Sequence, residues 1–163
     1  MENDTNLAET QARRLGTVYE QLAALVHQPD VMQRLRRPTS ENEWSAMQIL
    51  GHMIEMIPYW LTNCRVLMAA TAELPQFGRS LDAPERLEGV ERGGAGDPNE
   101  IMQLLQEEIH AAMSAIRSMS PAERNKKGVH IRRGEMTVAE IIEAFIVSHA
   151  EEHVAQVRAT LGT

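Results

Sequence analysis

The chain has 163 residues, with 23 acidic and 16 basic side chains and a formal net charge of −7. This length predicts one domain over residues 1–163, and the acidic balance argues against nucleic acid as a partner. The lone Cys64 excludes an intramolecular disulfide, and the absence of a signal peptide and of any apolar run near 18 residues predicts a cytoplasmic protein without membrane contact.

The first two predicted helices cover residues 5–27 and 41–71. Apolar residues at spacings of three and four define the first. Ser40 and Glu43 form a capping box that would open the second. Pro58 lies inside the second helix and should kink or split it near residue 57.

Two further helices are predicted in the C-terminal half. Residues 74–96 hold seven glycines and prolines, which predicts a long loop. Asp97 and Pro98 then cap a helix that runs to about residue 119, and residues 125–135 are expected to form a basic loop. Thr137 and Glu140 form a capping box for a last helix that ends near residue 161.

Four helices of some twenty residues, with no predicted strand and no repeat, indicate an all-α four-helix bundle. The connection between the second and third helices is long enough to run the length of a bundle. Simple up-down-up-down topology is therefore not assured.

The last predicted helix contains the segment His149-Ala-Glu-Glu-His153. Four residues advance an α-helix by about 400° and roughly 6 Å, so both imidazoles leave one face and can close on one metal ion. Such a pair is also commonly incidental. The segment does not match HExxH, and only ten residues without an acidic side chain follow it, which argues against a peptidase.

His52 is the best candidate for a third ligand, because it lies in the middle of the second predicted helix. Its face also carries polar side chains, including Gln48, Glu55, Tyr59 and Asn63. This face could line a polar pocket around a metal. A solvated helix face is an equally good interpretation of the same residues.

These motifs together resemble the DinB-like superfamily, also called the DinB/YfiT-like metalloenzymes. The segment WSAMQILGHM, followed about a hundred residues later by HAEEHVAQV, carries the resemblance. It implies a four-helix bundle of up-down-down-up topology, in which His52, His149 and His153 bind a divalent ion. Gln156 matches a glutamine that often follows the final histidine by three residues.

The resemblance implies an activity only broadly. Some relatives are thiol-dependent S-transferases or isomerases that use mycothiol or bacillithiol, and others are described as metal-dependent hydrolases. Three neutral imidazoles suit zinc or nickel first and are compatible with iron or manganese. An open position on the ion could activate a low-molecular-weight thiol or water, with Glu152 as a base.

Residues that could contact a small-molecule substrate are Tyr59, Asn63 and Gln156. The basic segment with Lys126, Lys127, Arg132 and Arg133 could meet an anionic substrate, although such runs are usually solvated.

Two classes of function remain open on the sequence alone. One is a metal-dependent transferase or hydrolase, and the other is a non-catalytic metal-binding or structural bundle. A homodimer is also expected, because the second and last predicted helices carry more apolar side chains than one narrow face towards the core requires. Those side chains are Met47, Leu50, Ile54, Ile57, Leu61, Val147 and Val154.

Overall fold

A computed structural model describes residues 2–163, with the side chains of residues 3–163. The elements in chain order are α1 (Glu2–Val26), α2 (Ala46–Ala69), β1 (Gln76–Phe77), α3 (Pro84–Ala95), α4 (Pro98–Ser118), α5 (Pro121–Arg124), β2 (Lys127–His130), β3 (Gly134–Thr137), α6 (Val138–Ile141), a π-helical segment (Ile142–Val147) and α7 (Ser148–Leu161). The segments α6, Ile142–Val147 and α7 are continuous and form the last long helix.

The four long helices form the predicted bundle. Helix α1 packs against α4 and α7, and α2 packs against the same two helices. Their inner faces fill one apolar core, with Leu15, Leu22, Met53, Leu105 and Val157 fully buried. Within residues 2–163, no helix is both long and apolar enough to cross a membrane.

Helix α2 begins later than the sequence predicted. Its N-cap is Ser45, whose hydroxyl accepts from the Gln48 amide while Gln48 Oε1 accepts from the Ser45 amide. The Ser40–Glu43 capping box was therefore wrong. The later start places Ala46 and Met47 in the core, where both are fully buried. The helix continues through Pro58 to Ala69, so it is not split there.

The crossover between α2 and α4 is not the long loop that was predicted. It contains β1 and the twelve-residue helix α3, which begins with Pro84 at its first turn. The glycines of α3 allow its backbone to approach the backbone of α2 closely. A Cβ added to Gly51 of α2 would lie 2.3 Å from the Gly89 carbonyl oxygen, and one added to Gly93 would lie 2.4 Å from the Met47 carbonyl oxygen. Backbone therefore packs on backbone where α2 crosses α3.

The segment at 125–135 is not the predicted basic loop. Strands β2 and β3 form an antiparallel hairpin, with Val129 opposite Glu135, and β1 adds to β2 in parallel. Gly134 has φ of 77°, a conformation that favours glycine in the hairpin turn. Strands were missed because β2 and β3 are four residues long and β1 lies about fifty residues before its partner.

The last helix begins with the predicted Thr137–Glu140 capping box.

Several side chains on which the homodimer prediction rested are buried within this single chain: Met47, Leu50, Ile57, Leu61, Val147 and Val154. They are not available to a second copy. The homodimer stays a prediction that would need another surface.

Candidate metal centre

The structure brings together the three histidines that the sequence singled out. His52 lies in the second turn of α2, and His149 and His153 lie one turn apart on α7. One ring nitrogen from each lies within 4.8 Å of the others, so the three are positioned to bind a metal ion. The π-helical segment ends immediately before α7, and such segments are frequent at functional sites.

Unpartnered imidazole nitrogens fit a metal at this position. Both ring nitrogens of His52 and Nε2 of His153 are buried and have no hydrogen-bond partner in the described chain. His52 is only 2% exposed. Burying polar atoms without partners is unfavourable, and a divalent ion would accept their lone pairs.

Hydrogen bonds orient both histidines of α7. His153 Nδ1 lies 2.8 Å from Gln156 Oε1, so the ring donates to the amide oxygen and Nε2 keeps a free lone pair. His149 is hydrogen-bonded to the backbone carbonyl of Phe145. Metal-ligating histidines commonly use their second nitrogen in this way. This contact gives Gln156 a positioning role, while the predicted contact with substrate stays a prediction.

Burial keeps all three imidazoles neutral. It lowers the pKa of His52 to about 2, and the nearby His153, which would repel a second protonated ring, and the charge of Arg86 act in the same direction. Burial lowers the pKa of His153 to about 4, and it also lowers the pKa of His149. The lone pairs that a metal needs are therefore not protonated near pH 7.

An open cavity of 270 Å³ adjoins the histidines. Its apolar wall includes Trp60 and Phe145, whose rings stack with centroids 4.3 Å apart. Its polar lining includes His52, His149, Glu152, Arg79, Arg86, Arg132 and Arg133. A small molecule in this cavity would contact both the histidines and a set of arginines.

The two glutamates of HAEEH have different surroundings. Glu152 is exposed and lines the cavity, consistent with its predicted position near a bound water or thiol. Glu151 accepts from Arg14 of α1 at 2.6 Å, and Arg14 also donates to Glu143 at 2.8 Å. Arg14 thus joins α1 to the π-helical segment through Glu143 and to α7 through Glu151.

Tyr59 and Asn63 lie outside the cavity lining. The Tyr59 ring is covered by the Arg79 guanidinium, 3.7 Å from the ring centroid, and the Asn63 amide donates to the Tyr59 carbonyl. Only a substrate that extends beyond the cavity could meet them. Their substrate contact stays a prediction.

Of the predicted basic segment, Arg132 and Arg133 line the cavity, whereas Lys127 pairs with Glu135 at 2.9 Å. Sequence reasoning missed Arg79 and Arg86, because both lie in the segment that was interpreted as a loop. Pro84 followed by Glu85 was the signal that could have found Arg86, since proline and an acidic residue mark a helix start. Arg79 precedes α3, so this signal does not extend to it.

Cys64 cannot supply the nucleophile. Its thiol is fully buried, it does not line the cavity, and burial raises its pKa to about 12. A thiol that reacts at this centre would therefore have to come from solution.

Comparisons with known proteins agree with the observed fold. The family model of the DinB superfamily matches residues 14–157. The chain is similar in structure to YfiT from Bacillus subtilis, described as a probable metal-dependent hydrolase with an unusual four-helix bundle topology. That match has a TM-score of 0.75 and 17% identity, and it covers 94% of this chain and 85% of YfiT. No curated protein matches this chain.

Proposed function

The chain belongs to the DinB superfamily, and from this premise we propose that it is a divalent-metal-dependent enzyme with His52, His149 and His153 as ligands. The observation that carries the proposal is the convergence of three neutral imidazoles, among which both ring nitrogens of His52 and Nε2 of His153 are buried without a hydrogen-bond partner in the described chain. Zinc or nickel is the preferred ion, and iron and manganese are compatible with the donor set.

The reaction that this site supports best is transfer of a low-molecular-weight thiol to an electrophilic substrate. A divalent ion on three neutral ligands keeps its full charge and favours the deprotonated form of a thiol or water that joins it. The cavity is open to solvent on the side of Glu152, so a thiol can enter. Glu152 can accept the proton that the thiol loses.

Hydrolysis is the second candidate, and two observations favour it. YfiT, the structural relative, is described as a metal-dependent hydrolase. Glu152 lines the cavity as an exposed carboxylate without a hydrogen-bond partner in the described chain, so it could accept a proton from water. In this variant water takes the place of the thiol, and the same three histidines are required.

Metal analysis of protein purified without a histidine tag tests the centre. We expect about one ion per chain and a rise in melting temperature when zinc or nickel is added to metal-free protein, because a ligand of the native state stabilises it. Absence of a bound ion together with an unchanged melting temperature would contradict the metalloenzyme proposal and favour a structural bundle.

Activity assays separate the two reactions. Metal-loaded protein is incubated with an aryl chloride electrophile, with and without low-molecular-weight thiols, and with ester and amide substrates. Thiol transfer predicts a metal-dependent thioether product and release of chloride. Metal-dependent cleavage of ester or amide substrates without thiol would support hydrolysis instead.

Replacing Gln156 with leucine should weaken metal binding by about 10- to 100-fold without removing a ligand. The substitution removes the oxygen that holds His153 Nδ1. Gln156→Glu keeps an acceptor at the same position and should restore most of the affinity. Competition titration with a chromophoric chelator measures both values, and equal affinities for Gln156→Leu and the native protein would contradict the positioning role.

A further inference from the structure

Three of the four arginines that line the metal-centre cavity lack a carboxylate partner. Arg79 is the exception, since it forms a bidentate ion pair with Glu55, in which Arg79 Nη1 lies 2.7 Å from Glu55 Oε2. Among the side chains of residues 3–163, none forms an ion pair with Arg86, Arg132 or Arg133. Glu152 is the single acidic side chain in the described lining. The cavity therefore carries excess positive charge before any metal is bound.

Arg86 is the innermost of these cations. Its guanidinium lies over the Trp44 ring, 5.1 Å from the centroid, and Nη1 donates to the Leu81 carbonyl at 2.8 Å. These contacts fix the side chain without neutralising it. Burial lowers its pKa, as does the charge of Arg79. It lines the same cavity as His52 and His149, which places it beside the centre.

Arg133 and Arg132 reach the cavity from the hairpin turn. Arg133 lies over the Phe145 ring at 4.7 Å, and its charge also lowers the pKa of His149. The backbone amides of both arginines donate to Nδ1 of the buried His130, each at 3.1 Å. His130 stacks against Phe145 and so holds the turn against the cavity wall.

The apolar wall limits what kind of anion can fill the space. The same cavity is also lined by the apolar side chains of Met56, Trp60 and Phe145. An inorganic ion alone would leave these side chains in contact with water. Guanidinium groups match the oxygens of carboxylates and phosphates, and a stacked ring pair suits a flat apolar group. An organic anion fits both parts of the cavity.

We infer that this cavity binds a small organic oxyanion, a carboxylate or a phosphate, through Arg86 and Arg133, with its apolar part on Trp60 and Phe145. The inference rests on the proposed function, because it names the substrate class of the same centre. The oxyanion is held by the arginines, which leaves the three histidines free for the metal.

The test uses metal-free protein, because carboxylates and phosphates also bind metals directly. Metal is removed with a chelator, and the chelator is then removed by gel filtration, since it is itself a polycarboxylate. Benzoate, phenyl phosphate and inorganic phosphate are the anionic probes, and benzamide is the neutral analogue of benzoate. Calorimetric titration at low salt measures each dissociation constant.

We expect benzoate or phenyl phosphate to bind at least tenfold more tightly than benzamide, and more tightly than inorganic phosphate. Whichever of these two probes binds more tightly shows whether the cavity prefers a carboxylate or a phosphate. Arg86→Gln and Arg133→Gln should each weaken the anionic probe about tenfold or more, because a charged hydrogen-bonded contact is lost. Arg158→Gln, an exposed change on α7 outside the cavity, should leave the affinity within about twofold.

Melting temperatures show whether each variant is folded. Arg86→Lys provides a second variant, which keeps the positive charge but lacks the planar guanidinium group. It should fall between Arg86→Gln and the native protein. Equal binding of benzoate and benzamide, no binding of any probe up to about 10 mM, or native affinity in both glutamine variants would overturn the inference.

The two proposals can fail separately. If metal binds at one ion per chain and the anionic probes do not bind, the metal centre stands and the substrate class is wrong. If the probes bind as expected and no metal is found, the anion site stands and the metalloenzyme proposal is wrong.

Discussion

Replacing His149 with alanine is expected to abolish stoichiometric metal binding. Structural zinc sites with four ligands gain about 10–16 kcal/mol, so one ligand accounts for roughly 2.5–4 kcal/mol, or about a hundred- to a thousandfold in affinity. His149 is half-buried, whereas His52 and His153 are buried, so its removal disturbs packing least. Metal content after dialysis and competition with a chelator measure the loss.

His110→Ala is the matched control for this experiment. His110 is exposed on α4 and does not belong to the histidine cluster. It should leave the metal content and the melting temperature of the loaded protein unchanged. If His149→Ala retains one tightly bound ion, or if His110→Ala loses it, the assignment of the centre is wrong.

Gly93→Ala should destabilise the fold by about 2 kcal/mol or more, although alanine alone would favour the helix by roughly 1 kcal/mol. The added methyl group would lie 2.4 Å from the Met47 carbonyl oxygen and 2.6 Å from the Gly51 Cα. These are backbone atoms, so only separation of α2 from α3 can relieve the overlap. Urea unfolding followed by circular dichroism measures the change.

Gly94→Ala tests the same substitution one residue further along α3. Its Cβ would lie 3.0 Å from the Gln48 Cγ, a side-chain atom that needs to shift by only a few tenths of an ångström, which the Gln48 side chain can do while Oε1 keeps its bond to the Ser45 amide. This variant should be as stable as the native protein or up to about 1 kcal/mol more stable. Similar unfolding midpoints for Gly93→Ala and the native protein would contradict the backbone-to-backbone packing of α2 and α3.

The sequence predicted the parts of this protein that depend on local periodicity. Apolar spacing found the four long helices, and capping residues placed the starts of α4 and the last helix near Asp97 and Thr137. The two histidines at a spacing of four, with His52 on another helix, predicted the residues that the fold brings together. Each of these signals lies within a few turns of one helix.

The parts that were missed depend on contacts between distant segments. The glycines of α3 indicated a loop, because their purpose becomes visible only when Gly51 of α2 lies against them. The parallel pairing of Gln76 with Val129 has no local pattern. Since Arg79 and Arg86 lie in the misassigned segment, the charge of the cavity was underestimated along with the fold.

The π-helical segment Ile142–Val147 makes the effect of a lost residue depend on where in the last helix the loss occurs. A π-helical segment corresponds to one residue added to an α-helix, and one residue turns an α-helix by about 100°. Loss of a single codon here would leave the Thr137 cap and all three histidines in the sequence. The wide turn would then become an ordinary α-helical turn, so His149 and His153 would keep their direction towards His52. Loss of one residue between His149 and His153 would instead turn one of these ligands about 100° away from the other. A reading frame can thus keep every ligand of this centre and still lose the centre itself.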